Sequence, residues 1–322
     1  MKPNYFYKIP QKYKNYKIQK IDSGASKRLF YRLSNDSKSV IFVDSSDQKN
    51  DYINLIGIYN YLSKINISIP IIYENDDKNC VLIIEDFGNL RFDKIINNYS
   101  LKKLLSSAVE TLIILRNEFI FDKSKNLLSY NYNTLLSEIS EFTDYFYPYT
   151  CNKKIPDDLA LEFYECWKNN FDLLKFNFNN FVHKDFNLNN LMFLPSRKKH
   201  LKCGILDFQS AFWGEDSWDL FSLLEDSRIF FDEQYNDYFI NFFYNATNQE
   251  ISLNDFKNKY YLLNCSRQTR LLGRWVKLSK SLNQDFYLKF IETTKKRLHN
   301  GLLKLNNDDL KLIYKKLIPE FF

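Results

Sequence analysis

Apolar and polar residues alternate with the two-residue period of β-strands over much of the first 88 residues. Such alternation occurs in YKIQKID, RLFYRLS and SVIFVD within residues 17–44, and in IIYEN and CVLIIED after Pro70. Between these two groups, Ile53, Ile56 and Leu62 recur at the spacing of one helix face. The pattern predicts a small antiparallel sheet with one helix over residues 1–88.

From residue 89 onward the apolar positions follow helical spacing instead. Three apolar stripes lie within residues 101–115, 132–146 and 159–171, and short strand-like pieces follow at Phe181–Val182, Leu191–Leu194 and Cys203–Leu206. The pattern is helical again from Asp216 almost to the end. We therefore expect an α+β fold of two lobes, a β-rich N-lobe over residues 1–88 and a larger, mainly helical C-lobe over residues 89–322.

Composition narrows the function classes. The 322 residues carry 45 Lys and Arg against 39 Asp and Glu, a net charge of +6 with both signs interspersed. This charge suits a small anionic ligand but gives no basic stripe for nucleic acid. The five cysteines form no CxxC pair, and the chain has neither an apolar leader nor an 18-residue apolar run. We expect a cytoplasmic protein with no membrane span and no zinc site.

The strongest chemical signal is the segment from His183 to Asn190, which has the form H-x-D-x4-N around Asp185. Asp207 follows at the end of the next strand-like piece, in Ile205-Leu206-Asp207-Phe208. Phosphoryl transfer needs a carboxylate that orients the acceptor hydroxyl and takes its proton, together with oxygen ligands for Mg²⁺. The spacing predicts Asp185 as the catalytic base and Asn190 and Asp207 as the Mg²⁺ ligands.

This motif and its context resemble the aminoglycoside phosphotransferase and choline kinase-like superfamily, which is related to the protein kinases. The resemblance implies a two-lobed protein-kinase-like fold, with ATP bound by the N-lobe and the catalytic loop and acceptor site in the C-lobe. It implies the same roles for Asp185, Asn190 and Asp207, with ATP and Mg²⁺ as cofactors. His183 would brace the loop, and Asp219 would hydrogen-bond the loop backbone. An interaction with the helix dipole is the alternative for Asp219.

Further segments are similar to the N-acetylmuramate/N-acetylglucosamine anomeric kinases of cell-wall recycling, a group within that superfamily. They are residues 24–32, 40–44, 82–88 and 135–138, the block from Asp207 to Arg228, and Arg267-x-x-Arg270-Leu271-Leu272-Gly273. The similarity implies phosphorylation of the anomeric hydroxyl of an amino sugar. The possible substrate-binding residues are Glu138, Gln209 and Arg267, and an exposed helix position is the alternative for Glu138.

The nucleotide site departs from the usual kinase pattern. The predicted third strand, Val40–Asp44, has no lysine, although kinases usually place one there to bind the nucleotide phosphates. Arginines beside the turn with a single glycine are candidates to replace it. The end of the fifth predicted strand would offer backbone groups to the adenine. The predicted nucleotide-binding residues are therefore Ser26, Arg28, Arg32, Glu85 and Phe87.

Three alternatives remain open on the sequence. A cationic acceptor such as choline or an aminoglycoside would need an acidic site, for which the chain offers Asp144, Asp157, Asp158, Asp226 and Asp232. A catalytically inactive, nucleotide-binding pseudokinase would explain the missing lysine, although the base and metal positions are all filled. A nucleic-acid binder is favoured by net charge and the many tyrosines, but the aromatic residues fall at core spacing and do not alternate with Lys and Arg.

Overall fold

The structure is a computed structural model that describes residues 4–22, 27–121, 127–229, 234–247 and 249–321. Its strands are β1 Lys17–Ile21, β2 Leu29–Ser34, β3 Ser39–Asp44, β4 Ile72–Asp76, β5 Val81–Glu85, β6 Asn180–Val182, β7 Leu191–Phe193, β8 Cys203–Ile205 and β9 Phe212–Gly214. Its α-helices are α1 Asn4–Lys8, α2 Lys49–Leu62, α3 Phe92–Ile95, α4 Leu101–Glu118, α5 Tyr132–Glu141, α6 Tyr147–Cys151, α7 Asp157–Leu173, α8 Trp218–Leu224, α9 Gln234–Ala246, α10 Leu253–Leu282, α11 Ile291–Leu303 and α12 Asp309–Leu317.

The chain divides into two compact units. The first comprises Met1–Phe119 and Leu188–Ala211, and the second comprises Ile120–Asn187 and Phe212–Phe322. The first unit therefore continues beyond residue 88, where the sequence predicts a lobe boundary. It does so because α3 and α4 pack with the segment that contains β7 and β8, and α2 packs on the 3₁₀ turn Phe208–Ser210.

The sheet of the first unit has five antiparallel strands in the order β1-β2-β3-β5-β4. The central strand β3 buries both of its faces. Val40 and Phe42 pack into a cluster with Leu33, whereas Ile41 and Val43 pack with the helix α2 on the other side. A strand enclosed on two sides takes apolar residues at successive positions, as β3 does from Val40 to Val43.

The second unit is built around α10, a helix of 30 residues. Ser252 caps its N-terminus, because the Ser252 hydroxyl accepts a hydrogen bond from the Asp255 N–H at 3.1 Å. The helices α5, α8, α9 and α11 and the π-helical turn Phe142–Phe146 pack against α10. Gly273 lies where α10 comes closest to that turn, and a Cβ atom there would be 2.0 Å from the Glu141 carbonyl oxygen.

The predicted elements are found, together with short elements that were not predicted, such as the helices α1 and α3. The strand β9, which pairs with β6, and the π-helical turn at the end of the second apolar stripe were not predicted. The α+β class, with an antiparallel sheet early in the chain and helices in most of the remainder, is confirmed. Among the helices of the described residues, none combines the length and apolar character that crossing a bilayer requires.

Candidate active site

The loop after β6 is held through its backbone by Asp219, the second residue of α8. The Asp219 carboxylate accepts hydrogen bonds from the N–H groups of His183, at 2.6 Å, and Lys184, at 3.1 Å. Asp219 is buried, and burial raises its pKa to about 7 although the two N–H groups favour the carboxylate form. The structure therefore contains the contact between Asp219 and the loop backbone that the resemblance implies.

Further hydrogen bonds fix the peptides on either side of Asp185. Lys184 has a left-handed backbone with φ 82°, and its carbonyl accepts from Trp218 Nε1 and Ser222 Oγ, both at 3.3 Å. The Asp185 carbonyl accepts from the backbone N–H and the side-chain amide of Asn187, at 2.9 and 3.0 Å. These bonds determine the direction in which the Asp185 side chain leaves the backbone.

Sequence reasoning missed Asn187 in this loop and Ser222 of α8, which donates a hydrogen bond to it. A signal for Asn187 was present, because an Asn two residues after an Asp is typical of a tight turn. His183 is buried, and its ring lies edge-on against Phe186 at 5.8 Å between centroids. This packing is consistent with a bracing role for His183.

The Asp185 side chain lines a cavity of about 260 Å³ within the second unit. The lining is rich in cations, and it consists of Lys184, Asp185, Asp226, Arg228, Arg267, Arg270, Leu271, Arg274 and Trp275. Burial alone would raise the pKa of Asp185, but the positive charges of Arg270 and Arg267 outweigh it and hold that pKa below its usual value. At neutral pH Asp185 is therefore an ionised hydrogen-bond acceptor.

Three of the arginines in this cavity have acidic partners. Arg228 binds Asp226 through two hydrogen bonds, of 2.9 and 3.0 Å. Arg274 binds Glu141 at 2.7 Å, and Arg270 binds Glu138 at 2.8 Å. Arg267 lies beside them without an ion pair to any described residue.

Glu138 is a partly buried residue of α5. The expectation of an exposed helix position for Glu138 is thus wrong. Its carboxylate accepts hydrogen bonds from Arg270 and, at 3.1 Å, from the Tyr130 hydroxyl. In this arrangement Glu138 orients Arg270.

Two further candidate residues lie together in the first unit, at one end of the β7–β8 pair. Leu191 pairs with Ile205, and the Leu206 N–H donates to the Asn190 carbonyl at 2.9 Å. Asn190 precedes β7, and Asp207 follows β8 with a left-handed φ of 64°. An amide oxygen and a carboxylate at neighbouring positions suit Mg²⁺, which takes few protein ligands and completes its shell with phosphate oxygens and water.

Arg28 connects Asp207 to Gln209. The Arg28 guanidinium is 4% exposed, forms an ion pair with Asp207, and donates from Nη1 to Gln209 Oε1 at 3.0 Å. Gln209 was predicted to face a sugar or the metal, but its side-chain oxygen is used by Arg28. Arg28 thus lies at the predicted metal ligand, next to the position expected for nucleotide phosphates.

The other predicted nucleotide residues have structural contacts. Arg32 binds the Asp86 carboxylate at 2.6 and 2.9 Å and the Gly88 carbonyl at 2.8 Å, so its guanidinium braces this turn and its contacts do not support the predicted phosphate role. Glu85 pairs with Arg197.

Phe87 is buried at the end of the sheet in a cluster with Met192 and Leu194. A Cβ atom on Gly204 would be 2.6 Å from the Phe87 ring, so the glycine makes room for it. Because the Phe87 side chain is part of the packing, only the backbone of this segment is available for the predicted adenine contact. Ser26 lies outside the described residues.

Comparison with known proteins identifies relatives of this chain. Residues 133–249 match the family described as Phosphotransferase enzyme family. An N-acetylmuramate/N-acetylglucosamine kinase of Neisseria meningitidis is 26% identical over 221 residues, which cover 65% of this chain and 61% of the relative. A protein of the same name from Pseudomonas aeruginosa is 24% identical, over 64% of this chain and 59% of the relative. The chain thus spans about three fifths of the length of these relatives.

Solved structures share the fold. A choline/ethanolamine kinase family protein from Mesorhizobium loti has a TM-score of 0.60 at 11% identity and covers 94% of this chain and 92% of its own. An ADP-bound aminoglycoside phosphotransferase, APH(2'')-Ib, has a TM-score of 0.55 at 15% identity, with 94% and 99% covered. The kinase-like fold and the resemblance to this superfamily, both predicted from the sequence, are confirmed.

Proposed function

We propose that this relative of the phosphotransferase enzyme family is an ATP-dependent small-molecule kinase, and that its acceptor is the anomeric hydroxyl of N-acetylmuramate or N-acetylglucosamine. The observation that carries the proposal is Asp185, an ionised carboxylate on a loop fixed by Asp219 and exposed to a cavity. Phosphoryl transfer to a hydroxyl requires an ionised carboxylate in a fixed position, which can take the proton of that hydroxyl.

The chemical step follows from this environment. The Asp185 carboxylate accepts a hydrogen bond from the acceptor hydroxyl and orients its oxygen. As the bond between this oxygen and the γ-phosphorus forms and the bond between the phosphorus and the leaving ADP oxygen breaks, Asp185 takes the proton. The positive charges of Arg267 and Arg270 favour the carboxylate form before the reaction.

Asn190 and Asp207 would hold Mg²⁺ in the first unit, and the bound ion would neutralise charge on the nucleotide phosphates. Arg28, next to Asp207, provides a buried cation that can bind a phosphate oxygen. This placement makes Arg28 a better candidate than Arg32 for the role of the missing lysine.

An amino-sugar acceptor is supported by the names of the sequence relatives. Choline and aminoglycosides are cations, and the surroundings of Asp185 are rich in arginine. Of the five acidic residues considered for a cationic acceptor, only Asp226 lines this cavity among the described residues, and it is paired with Arg228. Asp232 lies outside the described residues. The charge therefore favours a neutral or acidic acceptor.

Substitution of Asp185 tests the proposal. We expect Asp185→Asn to lower kcat by a factor of about 10²–10⁴, because the amide cannot take the hydroxyl proton. Nucleotide affinity should change little. The measurement is ADP release with Mg·ATP and N-acetylmuramate, N-acetylglucosamine, choline or an aminoglycoside, with nucleotide binding by calorimetry.

The matched control is Asp172→Asn, which removes an exposed carboxylate on α7 and should behave as wild type. Undiminished turnover in Asp185→Asn would disprove the assigned role. Absence of ADP release with every acceptor, with nucleotide still bound, would favour the pseudokinase alternative.

A further inference from the structure

Arg267 is the one arginine of the Asp185 cavity without an acidic hydrogen-bond partner among the described residues. It lies on α10 and is 2% exposed. Its Nε and Nη1 atoms are buried and make no hydrogen bond to any described residue. The neighbouring arginines Arg228, Arg270 and Arg274 each bind a carboxylate.

The Arg267 guanidinium therefore has buried hydrogen-bond donors without partners among the described residues. Burial of unpaired charged donors is costly, and such groups normally have partners. Burial lowers the pKa of Arg267 to about 10, so the side chain is still a cation at neutral pH. Asp226 and Asp185 provide favourable charge at a distance but no hydrogen bond. Each of the two donors, Nε and Nη1, forms together with Nη2 an edge of the guanidinium that suits a planar anion accepting two parallel hydrogen bonds.

We propose that Arg267 binds a carboxylate of the acceptor, so that the preferred substrate is an acidic amino sugar. This inference rests on the proposed function, in which Asp185 receives the acceptor hydroxyl in the same cavity. N-acetylmuramate carries a carboxylate on its lactyl ether, and N-acetylglucosamine has a hydroxyl at that position. Arg267 is then the specificity-determining residue that separates the two sugars.

The charges around the cavity favour this assignment. Asp226 is neutralised by Arg228, and the charges of Arg270 and Arg274 are balanced by Glu138 and Glu141. A neutral sugar would leave Arg267 unpaired, and a cationic acceptor would be repelled by it. An acidic sugar supplies the missing partner. The other anion that could reach a guanidinium in a kinase is the phosphoryl group itself, and the experiment separates this possibility.

The test compares N-acetylmuramate, its methyl ester and N-acetylglucosamine in wild type and in Arg267→Met. Wild type should prefer the free acid by tenfold or more in kcat/KM. Arg267→Met should lower kcat/KM for N-acetylmuramate by about 30–1,000-fold, mainly through KM, since a buried hydrogen-bonded charge pair is lost. The ratio of kcat/KM for the ester to kcat/KM for N-acetylglucosamine should change less than about threefold between wild type and Arg267→Met. Using ratios between substrates cancels any effect of the substitution on Asp185.

Two other variants complete the design. Lys280→Met removes an exposed cation from the same helix and should behave as wild type. Arg267→Lys keeps the charge but loses the two-pronged geometry, so it should show a smaller loss confined to the free acid. If Arg267→Met fails to fold, Arg267→Lys still tests the inference.

Equal losses on all three substrates would overturn the inference and point to the phosphoryl group or to folding. Equal wild-type activity on the acid and its ester would also overturn it. If wild type phosphorylates no sugar, the proposed function fails, and calorimetric binding decides the inference separately. Tighter binding of N-acetylmuramate than of its ester, lost in Arg267→Met, would support it, and equal binding would refute it.

Discussion

Asp219 positions Asp185 through two consecutive peptide N–H groups and does so from within the core of the second unit. An amide at this position can accept from one N–H but presents its own N–H₂ to the other. We therefore expect Asp219→Asn to lower kcat by about 10–100-fold, since an unsatisfied buried donor costs about 1–3 kcal/mol. Nucleotide affinity should stay within about threefold of wild type. Steady-state kinetics and calorimetry make the measurement.

Ser222→Ala is the comparison for this loop. It removes a 3.3 Å hydrogen bond to the Lys184 carbonyl, which Trp218 Nε1 also contacts. Because one donor remains, kcat should fall less than about threefold. If Asp219→Asn is no worse than Ser222→Ala, Asp219 does not position the loop.

Single residues were predictable where their chemistry is local. The spacing of Asp185, Asn190 and Asp207 is readable along the chain because loop geometry places them relative to two short strands. The contacts of Arg28 were not readable, because its partners Asp207 and Gln209 are about 180 residues away in sequence. Whether an arginine is held by protein groups or can bind a ligand depends on such distant partners, and the local sequence pattern does not show them.

The close packing of α10 against the π-helical turn Phe142–Phe146 gives a prediction at the scale of structural elements. At Gly273 an added Cβ would meet the Glu141 carbonyl oxygen at 2.0 Å, and backbone cannot rotate away as a side chain does. Gly273→Ala should therefore destabilise the protein by about 1–3 kcal/mol or more by separating α10 from the π-helical turn. Denaturant unfolding measures the change.

Gly57 provides the matched control. It is an exposed residue inside α2, with no atom within 4 Å of its added Cβ. Gly57→Ala should stabilise the protein by about 0.5–1 kcal/mol, since alanine loses less backbone entropy in a helix. A similar loss of stability in both variants would show that the close approach at Gly273 is not the cause.

Elements with a long, regular pattern were predictable, and short ones were not. The 14 residues of α2 and the strands of the five-stranded sheet repeat their periods several times. The strand β9 has only three residues, Phe212–Gly214, all buried, so no alternation marks it. Its pairing with β6 connects segments about 30 residues apart, and this depends on tertiary contacts.

The stability of the whole molecule should decrease as the pH rises towards neutrality. Burial raises the pKa of Glu215 and of Asp219 to about 7 each, and the charge of Asp216 adds to the effect at Glu215. From their ordinary values near 4 up to about pH 7, the folded state then binds more protons than the unfolded chain. The free energy of unfolding should therefore fall across this window, on the order of 1 kcal/mol per pH unit.

Denaturant unfolding at pH 5.5, 6.5 and 7.5 measures this slope. The lowered pKa values of Asp185 and Asp226 act in the opposite direction, but only below about pH 4. Glu215→Gln should make the dependence clearly shallower. A stability that is constant or that rises between pH 5.5 and 7.5 would contradict the prediction.

For the whole molecule, the change from strand to helix periodicity near residue 88 predicted the fold class, and the resemblance of the motifs around Asp185 and Asp207 indicated the relatives. The division into units was less accessible. Leu188–Ala211 belongs with the first unit although the second surrounds it in sequence. Only the pairing of β7 with β8 and their packing against α3 and α4 show this.

The ion pair between Arg28 and Asp207 has a kinetic consequence if Asp207 ligates magnesium as proposed. A free dication would approach a carboxylate already shared with a guanidinium that is almost fully enclosed. The two positive charges would repel each other. A phosphate oxygen beside Arg28 removes the conflict. We therefore expect the metal to enter, and to leave, as its complex with the nucleotide.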